Sequence, residues 1–148
     1  MTYRYLLNNM PHSIKNSAFT LPVRVYFQDT DSGGVVYHAN YVNFLERART
    51  EWLRERCGYS NAGLMREFGV VFVVRSLRLD YLKPAILDDL LSVSAQLKGV
   101  GRSSVVLSQG VSRDEDVLVD AEVCLVCVTV DGFKPVSVPQ HLREKWTN

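Results

Sequence analysis

Residues 28–58 read QDTDSGGVVYHANYVNFLERARTEWLRERCG, a turn rich in acids and glycines that runs directly into the longest helical pattern of the chain. Tyr41, Phe44, Leu45, Ala48, Trp52 and Leu53 recur at three- and four-residue steps and form one apolar stripe. Arg47, Arg49, Glu51, Arg54, Glu55 and Arg56 fall largely elsewhere on the wheel, so the helix has a wet side and a buried side. Gly58 suits the C-terminal stop, and the late arginines complement the negative end of the helix dipole. At the other end, free backbone N–H groups and a partial positive charge face whatever lies beside Val36 to Asn40. The pattern therefore predicts an acid-bearing turn at the mouth of a helix, a place suited to an oxyanion.

Upstream, Val23, Val25 and Phe27 alternate with Arg24, Tyr26 and Gln28, which predicts a half-buried strand beginning after Pro22. Residues 1–21 show no sustained period and are expected to be a poorly ordered extension, leaving 22–148 as a single domain. Downstream, the segment from Tyr59 to Gly69 has room for a short helix around Leu64 to Phe68. At Val70 the period drops to two and β-branched residues dominate. Strands are expected over Val70–Leu82, around Leu91–Leu97, over Arg102–Arg113 and over Val117–Val130. They are separated by Lys83-Pro84, Gly99 with Gly101, and Asp114-Glu115-Asp116, and Asp131-Gly132 stops the last. His141 to Trp146 forms one or two helical turns. One helix with a run of consecutive antiparallel strands gives an α+β domain in which the sheet curls round the helix. The long apolar edge strands invite pairing with a second copy.

The chain has 148 residues, enough for a core without disulfides or metal, and a net charge of +1 that exerts no long-range pull on nucleic acid or anionic membrane. The odd number of cysteines, 3, argues for a reducing compartment. No apolar run is long enough for stable membrane insertion, and no signal-peptide order opens the chain, so the expected location is cytoplasmic.

The run Asp29-Thr30-Asp31-Ser32-Gly33-Gly34-Val35-Val36-Tyr37-His38-Ala39-Asn40-Tyr41 closely resembles the active-site segment of hotdog-fold acyl-CoA thioesterases. These belong to the 4-hydroxybenzoyl-CoA thioesterase superfamily, and the resemblance is narrower to its YbgC-type members, associated with the Tol-Pal system. It extends from about Pro22 to the end, through Phe72-Val73-Val74-Arg75-Ser76, Pro84-Ala85, Leu87-Asp88-Asp89 and Ala121-Glu122-Val123. The resemblance implies a hotdog fold, a five-stranded antiparallel sheet wrapped round one long central helix. It also implies a homodimer or homotetramer sharing a continuous sheet, with active sites between subunits. The second acid of D-x-D, here Asp31, is implied as the catalytic carboxylate, and backbone N–H near Tyr37 and His38 as the group that polarises the thioester carbonyl.

A thioester needs a nucleophile or an activated water and a site that stabilises negative oxygen. Asp31 can serve as direct nucleophile or as general base. By spacing alone, such a turn carboxylate more often hydrogen-bonds its own backbone; the resemblance is what assigns it to catalysis, and leaves Asp29 mainly structural. His38 takes a place in the site, orienting substrate or holding the loop. Tyr37 and Tyr41 are candidates for the wall of the acyl pocket, and Arg75, Lys98 and Arg102 for contacts to the phosphates of coenzyme A. No metal and no redox cofactor is called for. The acids of the turn mimic the start of a calcium loop, but Asn40 stands where a bidentate Glu belongs. Cys124 and Cys127 point to opposite faces of a strand, His12 and His141 lack partners at ligand spacing, and no G-x-S-x-G occurs. The expected substrate is acyl-CoA, with acyl carrier protein as alternative donor and a non-catalytic acyl-CoA-binding module as the reading from another class.

Overall fold

The change of period at Val70 is where the chain passes from helix to sheet. The computed structural model describes residues 19–147. In chain order they form β1 (Phe19–Arg24), a single 3-10 turn (Phe27–Asp29), α1 (Asn40–Cys57), α2 (Asn61–Phe68), β2 (Val70–Tyr81), β3 (Leu90–Val100), β4 (Ser104–Arg113), β5 (Asp116–Thr129) and α3 (Gln140–Thr147). The strands make one 5-stranded sheet in the order β1-β3-β4-β5-β2, antiparallel at every joint.

The apolar stripe read from the sequence is the buried face of α1: Tyr41, Phe44, Leu45, Ala48, Trp52 and Leu53 are all inside, against β1, β3 and β4. Gly58 ends the helix at φ 75°, a left-handed conformation that a side chain would strain, and its N–H returns to Arg54 O at 2.9 Å. The sheet answers with Leu91, Val93, Ala95, Leu107, Val111, Val119, Ala121 and Val123, buried at alternate positions. One polar side chain ties the two layers. Gln109 of β4 is buried, donates from Nε2 to Leu45 O (3.0 Å) and Ser94 O (3.1 Å), and accepts from Arg49 Nη1 (3.1 Å).

The first strand departs from the expectation. It begins at Phe19, inside the stretch assigned to the extension, and pairs with β3 from Phe19↔Ala95 to Arg24↔Leu90. It ends before the expected Gln28, because the Asp29 carboxylate accepts from Tyr26 N–H at 2.8 Å and curls the chain into the 3-10 turn. Phe27, expected inside, is 81% exposed. The remaining residues of the expected extension, 1–18, lie outside the described residues, as does His12.

β2 is the outer strand beyond β5, and most of its length is exposed, including Val73, Val74 and Leu77. A bulge at Arg75 shifts its register against β5 between Val74 and Ser76. Among the described residues no helix is long and apolar enough to cross a membrane.

Candidate active site

The turn before α1 is a miniature hairpin anchored on the loop between β2 and β3. Thr30 bridges Val36, Val35 bridges Ile86, Asp31 N–H donates to Val35 O (2.9 Å) and Val36 N–H to Ala85 O (2.9 Å). At its tip, Gly33 N–H donates to Asp31 Oδ1 at 2.8 Å. A Cβ on Gly33 would come within 3.1 Å of the same oxygen, so glycine lets the backbone approach the carboxylate. Asp31 is exposed in the protomer, and Oδ2 takes no hydrogen bond among the described residues. One oxygen is held while the other is left available.

Asp29, the other acid of the motif, is buried and spent on structure. Its carboxylate caps Tyr26 N–H, while its carbonyl accepts from Tyr37 N–H (2.9 Å) and Asn40 Nδ2 (3.0 Å). That bond corrects part of the expectation, since Tyr37 N–H is engaged and is not a free oxyanion donor. His38 and Ala39 come next. Among the described residues neither of their N–H groups donates to a backbone carbonyl outside the helix ladder, and Ala39, at the N-cap, offers no side-chain cap. A helix start with open N–H groups and no cap is a local source of positive potential.

Tyr81, the last residue of β2, fixes this helix start by donating its hydroxyl hydrogen to His38 O at 2.8 Å. The rings of Tyr37 and His38 lie 4.6 Å apart, His38 and Tyr81 6.4 Å, and Tyr81 and Tyr41 5.6 Å. Tyr41 is buried and its hydroxyl accepts from Ala85 N–H at 3.1 Å. Burial pushes its phenol above the ordinary value. An open, shallow pocket here is lined by Val36, His38, Tyr41, Tyr81, Lys83 and Pro84. Tyr41 is part of that wall; Tyr37, 46% exposed, is not.

The three cations named for coenzyme A do not converge on Asp31 within one protomer. Lys98 sits near the far end of β3 and pairs with Glu122. Arg102 lies in the next turn, where its Nε donates to Ser137 Oγ at 3.1 Å, and Arg75 is on the β2 bulge. Charge in a strand does not reveal which end of the sheet it will occupy. Two cations stand at this corner: Lys83, bound to Asp116 at 2.9 Å, and Arg113, which donates to Pro84 O at 3.3 Å. Lys83 and Tyr81 were missed by the sequence reading, and their signal was adjacency to the Pro84 turn that closes β2. Among the described residues no cluster of His, Cys, Asp or Glu is arranged to hold a metal.

A family model described as the thioesterase superfamily matches residues 33–119. The chain is 44% identical over 130 residues to the acyl-CoA thioester hydrolase YbgC of Escherichia coli, covering 87% of this chain and 96% of that protein. It is 41% identical over 128 residues to the acyl-CoA thioesterase YbgC of Haemophilus influenzae, covering 86% and 93%. A crystal structure of a probable thioesterase from Bartonella henselae superposes with a TM-score of 0.79 at 33% identity, over 82% of this chain and 99% of that one.

Proposed function

The chain belongs to the thioesterase superfamily, and on that footing we propose that it hydrolyses acyl-CoA thioesters to a carboxylic acid and coenzyme A, with Asp31 as the reacting carboxylate. The observation that carries the reading is the pairing, on one short turn, of a carboxylate with a free oxygen and an uncapped helix start. The thioester carbonyl accepts from the open N–H groups of His38 and Ala39, and Tyr81, through His38 O, fixes the plane of the His38–Ala39 peptide and with it the Ala39 N–H. As the carbonyl carbon becomes tetrahedral, negative charge collects on the oxygen facing those N–H groups, and one such donor contributes about 3–4 kcal/mol in comparable sites.

Asp31 reaches the carbonyl carbon by one of two routes. As nucleophile, it forms an anhydride, expels the coenzyme A thiolate and is regenerated by water; as general base, it takes a proton from the water that attacks. Label found in the Asp31 carboxyl after single turnover in oxygen-18 water identifies the first route, since only water attacking the aspartyl side of an anhydride puts it there. Gly33 N–H holds Oδ1 in either case.

The protein works as a homo-oligomer in the cytoplasm, with two copies joined along the free edges of β2. An exposed apolar edge strand of 12 residues is a template for such pairing. Antiparallel pairing there lays the Tyr81 end of one β2 against the Val70–Val74 half of the other, so the corner holding Asp31 becomes a cleft between protomers.

The test is a panel of acyl-CoAs with a thiol-trapping reagent, run beside acyl carrier protein donors of equal acyl length. Turnover of acyl-CoA is expected, faster than from the carrier. Tight stoichiometric binding with no thiol release would instead identify a binding module.

A further inference from the structure

A second cavity, of about 170 Å³, lies away from Asp31 over the C-terminal half of α1. Its walls include Val105, Leu107 and Leu125 of the sheet, Trp52 of α1 and Trp146 of α3, with Val74 on the free edge of β2. That volume is below the usual range for a whole small-molecule site. Glu46, Arg49, Thr50 and Asn61 add polar groups to the lining, and the apolar walls suit an apolar group carried by a larger molecule.

Trp146 forms a firm part of this wall. It stacks on Trp52 with ring centroids 5.3 Å apart, lies 6.0 Å from Phe72 and donates its indole N–H to Cys57 Sγ. Lys145 ties the same helix to Cys57 O at 3.3 Å. The terminal helix is thus latched to the end of α1 with one ring against the cavity.

Within a protomer the cavity runs beside α1 from Glu46 to Leu53, roughly 9 to 20 Å along the helix axis from Asn40 at 1.5 Å per residue, and Asp31 does not line it. Antiparallel pairing of the β2 edges removes that separation, because the lip at Val74 then faces the helix start of the other copy. We infer that this cavity is the acyl chamber serving the partner's Asp31, and that Trp146 is the specificity-determining residue that sets how long an acyl chain it accepts. The inference rests on the thioester and dimer readings above, and its test does not depend on turnover.

The chain holds only 2 tryptophans, Trp52 and Trp146, and both line the chamber, so intrinsic emission reports its occupancy. Non-hydrolysable thioether analogues of acyl-CoA with increasing chain length are titrated into the full protein, with binding followed in parallel by calorimetry. Coenzyme A and the shortest analogues should leave the emission unchanged, and beyond a threshold length it should shift. In Trp146→Ala, still reported by Trp52, that threshold should move to chains at least ~2 carbons longer; Trp146→Leu serves if the alanine variant melts early. A long analogue that binds without changing emission, or a threshold identical in both proteins, overturns the chamber. A length-dependent response in a protein that turns over no acyl-CoA would support the chamber and defeat the hydrolase reading instead.

Discussion

At Gly33 the absence of a side chain is a positional device, since its N–H holds Asp31 Oδ1 at 2.8 Å where a methyl group would crowd the same oxygen. Gly33→Ala should therefore displace the carboxylate and lower kcat about 10-fold, with a melting temperature close to the parent's, as read by steady-state kinetics and calorimetry. Tyr81→Phe removes the hydroxyl that holds His38 O and leaves the ring stack in place. Its kcat should fall about 5- to 30-fold with KM little changed, the loss expected from about 1–2 kcal/mol of oxyanion positioning. Elsewhere burial pushes the Cys57 and Cys127 thiols up to about 11, so both should resist a thiol reagent near neutral pH in the native protein and react on unfolding. Asp31 and His38 stood out through the resemblance of the Asp29–Tyr41 run to a thioesterase active-site segment, since by spacing alone Asp31 is an ordinary turn carboxylate. Tyr81 did not, since an aromatic at a strand end has many structural uses and its partner, His38 O, is 43 residues away.

Among the elements, α1 and the four strands after Val70 were legible because one period dominates each, and a single helix facing a sheet leaves few packings open. The first strand was not. Alternation at Val23, Val25 and Phe27 cannot show that the Asp29 carboxylate will capture Tyr26 N–H and curl the chain, a contact set by a side chain three residues on. Gln109 was equally hidden, as a polar residue on a core-facing position is recognisable only when its partners on α1 and β3 are in place. The link that carries the active-site turn is the loop from Tyr81 to Leu90, held by Asp89, whose carboxylate accepts from Ile86 N–H (2.9 Å) and Arg113 (2.6 Å). Burial pushes the Asp89 carboxyl up, but those two donors outweigh it and hold it below the usual value. A carboxyl depressed in the folded state contributes stability above its unfolded value, about 3.9, and loses it as pH falls through the folded one. Asp89→Asn should therefore destabilise the protein by about 1–2 kcal/mol at pH 7, with the gap to the parent closing as the pH falls below ~3.9 in acid unfolding curves.

For the whole molecule, the site and the edge of β2 belong to one problem. A lone protomer leaves Asp31 in solvent, Val73, Val74 and Leu77 exposed, and the aromatic pocket shallow. A second copy would cover all three. Val73→Lys combined with Leu77→Lys places like charges along the proposed seam, and sedimentation should then show a folded monomer that has lost most of its turnover. Periodicity already marks long apolar edges that invite a second copy; that the edge is β2 and ends beside the Asp31 turn emerges only with the strand order and the Tyr81–His38 contact in place. The proposed mechanism rests on the carboxylate at the helix mouth, and Asp31→Asn keeps its size while removing its negative charge. Assayed against the best acyl-CoA of the panel, the variant should lose about 10²- to 10⁴-fold in kcat while melting as the parent does and binding the thioether analogue undiminished; a folded Asp31→Asn protein that releases coenzyme A at the parent rate would contradict it.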